Sequence, residues 1–234
     1  VYTVDVRLKG GKSFRLCSDE TFLFSYDGPV RRADLYNGET IDGRCEIPAF
    51  ATAQMNLEGW KPVHAVDADR NVLMAQTDAP VRSLMELKPK RLFVNAKGET
   101  IVDFGQNFAG HIRVEGIHAA SGQEIIFEHT EELDKDETFI YPFLEDVQQQ
   151  RDVYIAGCKS DECFEPTLTY HGFRYVRVTT EPAFEWKESQ FTGVVVGSDN
   201  EKSGEFSCSD RRLNQLQSNI TWSQRSNLVG IPTD

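Results

Sequence analysis

Apolar and polar side chains alternate from the first residues. Tyr2, Val4, Val6 and Leu8 are separated by Thr3, Asp5 and Arg7, the period of a half-buried strand. Gly10-Gly11 is a two-residue hairpin signal, after which Phe14 and Leu16 resume the alternation. The same logic predicts strands near residues 21–26, 62–66, 72–76, 81–87, 91–94, 100–104, 111–114, 124–129, 147–155, 167–170, 174–179 and 191–196. Turn chemistry separates them, as at Asn95-Ala96-Lys97-Gly98, Ala120-Ser121-Gly122 and Ala156-Gly157. Many short strands at this spacing predict sandwich or jelly-roll architecture.

The pattern changes at Ser207. Leu213, Leu216 and Ile220 recur at helical spacing, with Ser207 or Ser209 as the expected cap and Asp210 in the first turn. The apolar run from Leu228 to Pro232 closes this helix. Such a helix at the end of a β chain needs somewhere to bury its apolar stripe, which predicts further helical chain beyond Asp234. The stretch Gly28 to Trp60 reads as loop-rich, and the segment from Ala79-Pro80 to Pro89 as a junction with a boundary near residue 80.

Composition narrows the function classes. The 37 acidic and 25 basic residues give a net charge of −12, which repels nucleic acid and anionic lipid while leaving neutral ligands such as sugars open. No apolar run approaches the ~20 residues of a membrane span. Five scattered cysteines, Cys17, Cys45, Cys158, Cys163 and Cys208, do not form a disulfide framework. This favours a cytoplasmic setting slightly over a periplasmic or secreted one. Val1 as the first residue and the abrupt start suggest a trimmed beginning.

Several clusters are candidates for chemistry. Asp134, Asp136 and Glu145 have acid spacing like an EF-hand loop, but Phe139 replaces its glycine and Pro142 sits within it, so a solvated loop is expected. Glu128, Glu131, Glu132, Asp134 and Asp136 are read as surface charge. His171-Gly172-Phe173-Arg174-Tyr175 combines groups a sugar site uses with those of a core strand, and core packing is expected. Asp103-Phe104-Gly105-Gln106-Asn107-Phe108-Ala109-Gly110 is read as a β-turn joining two strands. No metal cluster and no cofactor signature is identified.

Three segments occur in an order that resembles bacterial α-L-rhamnosidases: residues 103–110, Thr169 to Val176, and Ser203-Gly-Glu-Phe-Ser-Cys-Ser-Asp210. Leu213-Asn-Gln-Leu216, Trp222-Ser-Gln-Arg-Ser-Asn227 and Ile231-Pro-Thr-Asp234 continue it, and Tyr36 to Arg44 with Trp60 extends it upstream. The resemblance implies a mainly β chain: two β-sandwich or jelly-roll-like domains, then one α-helix that begins an (α/α)6 barrel. Residues 1–80 would be part of an N-terminal accessory domain, 81–197 a concanavalin-like domain, and 198–234 a linker with the first catalytic-domain helix. The family's inverting chemistry uses one carboxylic acid and one carboxylate base. Its acid-rich stretch follows the Ile-Pro-Thr-Asp motif, so no catalytic residue is carried onto this sequence. Arg225 and Asp234 are substrate-binding candidates by proximity. The implied partner is a rhamnose-containing glycoside, met through the parent enzyme. Ala49-Phe50 stands where the family commonly has Trp, which weakens sugar stacking by that loop. The alternative function is a carbohydrate-binding module using Trp60, Trp186 or Tyr170, and self-association is left open.

Overall fold

The computed structural model describes residues 3–67, 69–141, 150–157 and 159–233. The strands, in chain order, are β1 (Thr3–Arg7), β2 (Ser13–Cys17), β3 (Leu23–Phe24), β4 (Val30–Asp34), β5 (Gly38–Asp42) and β6 (Lys61–Pro62). They continue as β7 (Val81–Leu87), β8 (Arg91–Val94), β9 (Thr100–Ile117), β10 (Glu124–Thr130) and β11 (Arg151–Ile155). The remainder are β12 (Glu162–Phe164), β13 (His171–Thr180), β14 (Phe191–Ser198), the helix α1 (Arg211–Asn227), β15 (Leu228–Val229) and β16 (Ile231–Pro232). The described residues are mostly β with one C-terminal α-helix, as the alternation and the helical spacing after Ser207 predict.

Two compact units interleave along the sequence: residues 1–28 with 47–75, and residues 29–46 with 76–234. In the first unit β1 and β2 form the expected hairpin, with Thr3 opposite Cys17 and Arg7 opposite Ser13. The Gly11 N–H donates to the Leu8 carbonyl at 3.0 Å. Among its described residues none is buried, and Leu8, Phe14 and Leu16 are about half exposed. The expected strand at 72–76 does not form; Arg70–Val72 is instead a 3-10 turn.

The second unit holds one curled ten-stranded sheet in the order β4-β5-β11-β10-β13-β9-β14-β7, with β8 and β12 also on β9. The segment expected to be loop-rich supplies β4 and β5, and β5 joins β11 in parallel with Val153 opposite Thr40. Their few apolar residues hid them: β4 reads Val-Arg-Arg-Ala-Asp and is exposed throughout. The expected strand at 167–170 is also absent. There the Thr167 and Leu168 N–H groups donate to Glu39 Oε2 at 2.9 and 2.7 Å, so a side chain takes the bonds a strand would have used.

Packing follows from the long strand β9. Phe104, Phe108 and Phe173 meet at ring separations of 4.5–5.9 Å, and Phe127, Phe164, Tyr154 and Trp186 extend the same buried cluster. Two glycines let backbones approach here. A Cβ on Gly110 would lie 2.0 Å from the Val194 carbonyl oxygen, and one on Gly193 would lie 2.8 Å from Phe108. Trp186 is 8% exposed and packs on Phe184, Phe127 and Phe191. It is a core residue rather than a sugar-stacking platform, and Trp60 and Tyr170 are half-buried.

Helix α1 is capped by Asp210, whose carboxylate accepts the Arg212 N–H at 2.9 Å; neither Ser207 nor Ser209 does so. An ionised cap outcompetes serine because it also suits the positive helix end. Trp222 packs against the sheet core. Leu213, Leu216 and Ile220 are each about half exposed.

Candidate functional site

The segment Asp103–Gly110 is not a turn between two strands. It lies within the single strand β9, where five residues span the distance that two residues of β13 cover: Phe173 is opposite Phe108, but Tyr175 is opposite Asp103. The excess chain is taken up by a bulge. Gly105 adopts φ +71 there, a left-handed conformation that glycine accepts without strain. The Gly105 N–H donates to Asp103 Oδ1 at 2.6 Å.

Across the bulge, the Arg174 guanidinium donates to both Asp103 oxygens, at 2.8 and 3.0 Å. Burial pushes the Asp103 carboxyl up, but Arg174 and the Gly105 N–H outweigh it and leave it below the usual carboxylate range. The register shift also changes the phase of β13. His171 and Phe173 are buried, Arg174 and Tyr175 are both half-buried, and the core phase resumes at Val176. The motif was expected to be core, and alternate residues of it are.

Beside this pair is an open cleft of about 500 Å³ lined by Gly105–Asn107, Glu131–Leu133, Arg174 and Tyr175. Asn107 donates to Glu131 Oε1 at 2.7 Å, and the Arg174 guanidinium sits 4.7 Å from the Tyr175 ring centre. Glu128 is taken up by Arg177, which also binds Glu99. Asp134 organises its own loop by accepting the Asp136 and Thr138 N–H groups, while Pro142 and Glu145 lie outside the described residues. The cleft therefore offers amides, a guanidinium and an aromatic edge, and of its two acids Glu131 is engaged by Asn107.

A second, longer groove of about 1040 Å³ runs between α1, β7 and the connecting segment 198–206. Arg225 lines it, with its guanidinium 4.7 Å from the Trp222 ring centre. Asp234 lies outside the described residues.

A third constellation has no signature in the sequence. His129, Asp152 and His171 come from the adjacent strands β10, β11 and β13, and all three are buried. Their donor atoms lie within 4.8 Å of one another. His171 Nε2 is 3.1 Å from both Asp152 oxygens, and the Glu39 N–H donates to Asp152 Oδ1 at 2.8 Å. The two imidazole ring centres lie 4.4 Å apart, with the planes tilted by 33°. Burial, then His171, pushes His129 down to about 3. No spacing rule brings these residues together, because strand pairing alone does so.

A curled, mainly antiparallel β domain with a polar bulge cleft and a helix seated on its sheet defines a concanavalin-like β domain with an appended helical element. The chain belongs to the α-L-rhamnosidase family: the N-terminal domain of that family matches residues 1–85, its concanavalin-like domain residues 94–197, and its 6-hairpin glycosidase domain residues 201–234. An alpha-L-rhamnosidase of Streptomyces avermitilis is 33% identical over 232 residues, covering 99% of this chain and 22% of the relative. One from Formosa agariphila is 32% identical, covering 99% and 25%. The crystal structure of the Streptomyces avermitilis enzyme complexed with L-rhamnose superposes with a TM-score of 0.88 at 32% identity, over 98% of this chain and 22% of that one. Native Aspergillus terreus rhamnosidase gives 0.89 at 34%, over 98% and 26%. The chain thus spans about a quarter of the length of these relatives.

Proposed function

We propose that this chain is the non-catalytic scaffold of an inverting α-L-rhamnosidase that releases terminal L-rhamnose from glycosides or polysaccharides. The observation that carries it is the ordered match of three rhamnosidase domain families along the chain. On this reading residues 1–80 are accessory, 81–197 form the concanavalin-like domain, and 198–234 lead into the catalytic barrel. The chemistry itself supports a scaffolding role. Glycoside hydrolysis needs two carboxyl groups facing each other about 5–10 Å apart across a sugar, whereas Asp103, Glu128 and Glu131 are each held by Arg174, Arg177 or Asn107. Arg225, in the groove beside α1, and Asp234 are the residues this reading assigns to the periphery of the substrate site.

The test is hydrolysis of p-nitrophenyl α-L-rhamnoside. The full-length parent should turn it over with inversion, and the 234-residue chain should not. A parent inactive across rhamnosides, or turnover by the chain alone, would defeat the proposal.

A further inference from the structure

We infer that His129, Asp152 and His171 form a structural site for a divalent transition-metal ion of the zinc class. The hydrogen bonding around His129 carries the argument. Its Nδ1 lies 3.0 Å from the Gln150 carbonyl oxygen. A carbonyl only accepts, so Nδ1 holds the ring proton and the neutral ring presents a bare lone pair at Nε2. That nitrogen is fully buried, has no hydrogen-bond partner among the described residues, and faces Asp152 Oδ2 at 3.9 Å. A bare nitrogen lone pair and a carboxylate oxygen this close in a dry interior repel, and a cation between them reverses the sign.

Geometry and ligand chemistry agree. A tetrahedral zinc with bonds of about 2.1 Å sets its ligand atoms roughly 3.4 Å apart. The two separations to Asp152, 3.1 Å from His171 Nε2 and 3.9 Å from His129 Nε2, bracket that value, and all three donor atoms lie within 4.8 Å of one another. Two imidazoles and one carboxylate suit zinc and its first-row neighbours, whereas calcium and magnesium require mostly oxygen ligands. The outer partners of a metal site are also in place: a backbone carbonyl fixes the His129 tautomer, and the Glu39 N–H orients Asp152. Glu39, whose N–H makes that contact, is itself fully buried with Oε1 unpartnered among the described residues. On binding, His171 moves its proton from Nε2 to Nδ1, or releases it, and ligates through Nε2.

The experiment uses the purified chain with its thiols alkylated, so that cysteine cannot bind metal. After EDTA treatment and desalting, zinc is titrated by calorimetry, and thermal unfolding is followed with and without it. One equivalent should bind, and zinc at 100-fold excess over Kd should raise Tm by roughly 5–10 °C. Cobalt in place of zinc should show visible d–d bands of a low-coordinate ion. His129→Gln should abolish all three effects, while His64→Ala, at an exposed histidine, should change none. Substoichiometric binding, an unmoved Tm, or equal binding by His129→Gln would overturn the inference. Should His129→Gln not fold, the titration of the EDTA-treated chain decides alone.

Discussion

Arg174 holds Asp103 through two parallel hydrogen bonds across the bulge of β9, and that pair fixes where the strand leaves and rejoins its ladder. The Asp103 side chain is 10% exposed and that of Arg174 is 38%. Removing the arginine therefore leaves a mostly desolvated carboxylate with only the Gly105 N–H. Arg174→Ala should lower unfolding stability by about 1–3 kcal/mol, seen as a lower urea midpoint at unchanged slope. A neutral Arg174→Ala would mean that the bulge is held by packing alone.

The same pair predicts an acid sensitivity. Asp103 and Glu99 both have folded-state values depressed below the ordinary range; burial raises each, but Arg174 outweighs it for Asp103, and Asn95 with Arg177 does so for Glu99. A depressed folded pKa gives stability that is complete above the unfolded value and is lost as pH falls through the folded one. The urea midpoint should decline between about pH 5 and pH 2. Asp103→Asn should make that decline shallower.

Close backbone approach makes a sharper prediction. Gly110→Ala places a methyl 2.0 Å from a backbone carbonyl oxygen, which cannot yield as a side-chain end could. It should cost about 3 kcal/mol or more, or leave the chain insoluble. Gly10→Ala meets nothing within 4 Å and should stay within about 0.5 kcal/mol of the parent. Chemical denaturation of both variants provides the comparison.

The two faces of α1 should respond differently. Trp222 packs against the core cluster, and Trp222→Ala should cost about 2–4 kcal/mol in this chain. Leu216→Gln, at a half-exposed position, should change stability by less than about 0.5 kcal/mol. A large loss from Leu216→Gln would show that the chain buries this stripe itself.

Much of this architecture was legible in the alternation of single strands. The hairpin at Gly10-Gly11, the turn at Asn95–Gly98 and the helix carrying Leu213, Leu216 and Ile220 all follow local rules of period and turn chemistry. What escaped depends on distant partners. Strand β4 has an arginine-rich composition and is recognisable only once β5 pairs beside it. The 103–110 motif contains turn-forming residues, but its pairing with β13 makes it a bulge. Of the candidate sites, the cleft residues were noticed as motifs, whereas His129, Asp152 and His171 became neighbours only through the order of three strands. Asp210 displaced the expected serine caps because charge adds to hydrogen bonding at a helix start.

The pairing of β5 with β11 has a consequence for the newly made chain. Glu39 and Asp152, joined by one hydrogen bond, are 113 residues apart. At synthesis rates of about 5–20 residues per second, the β4–β5 hairpin waits roughly 6–23 s on the ribosome for the strand that completes it. Throughout that interval its open edge is a docking opportunity for other nascent chains. Its lysine-free but arginine-rich partner, β4, gives one side of the hairpin a charged guard during the delay.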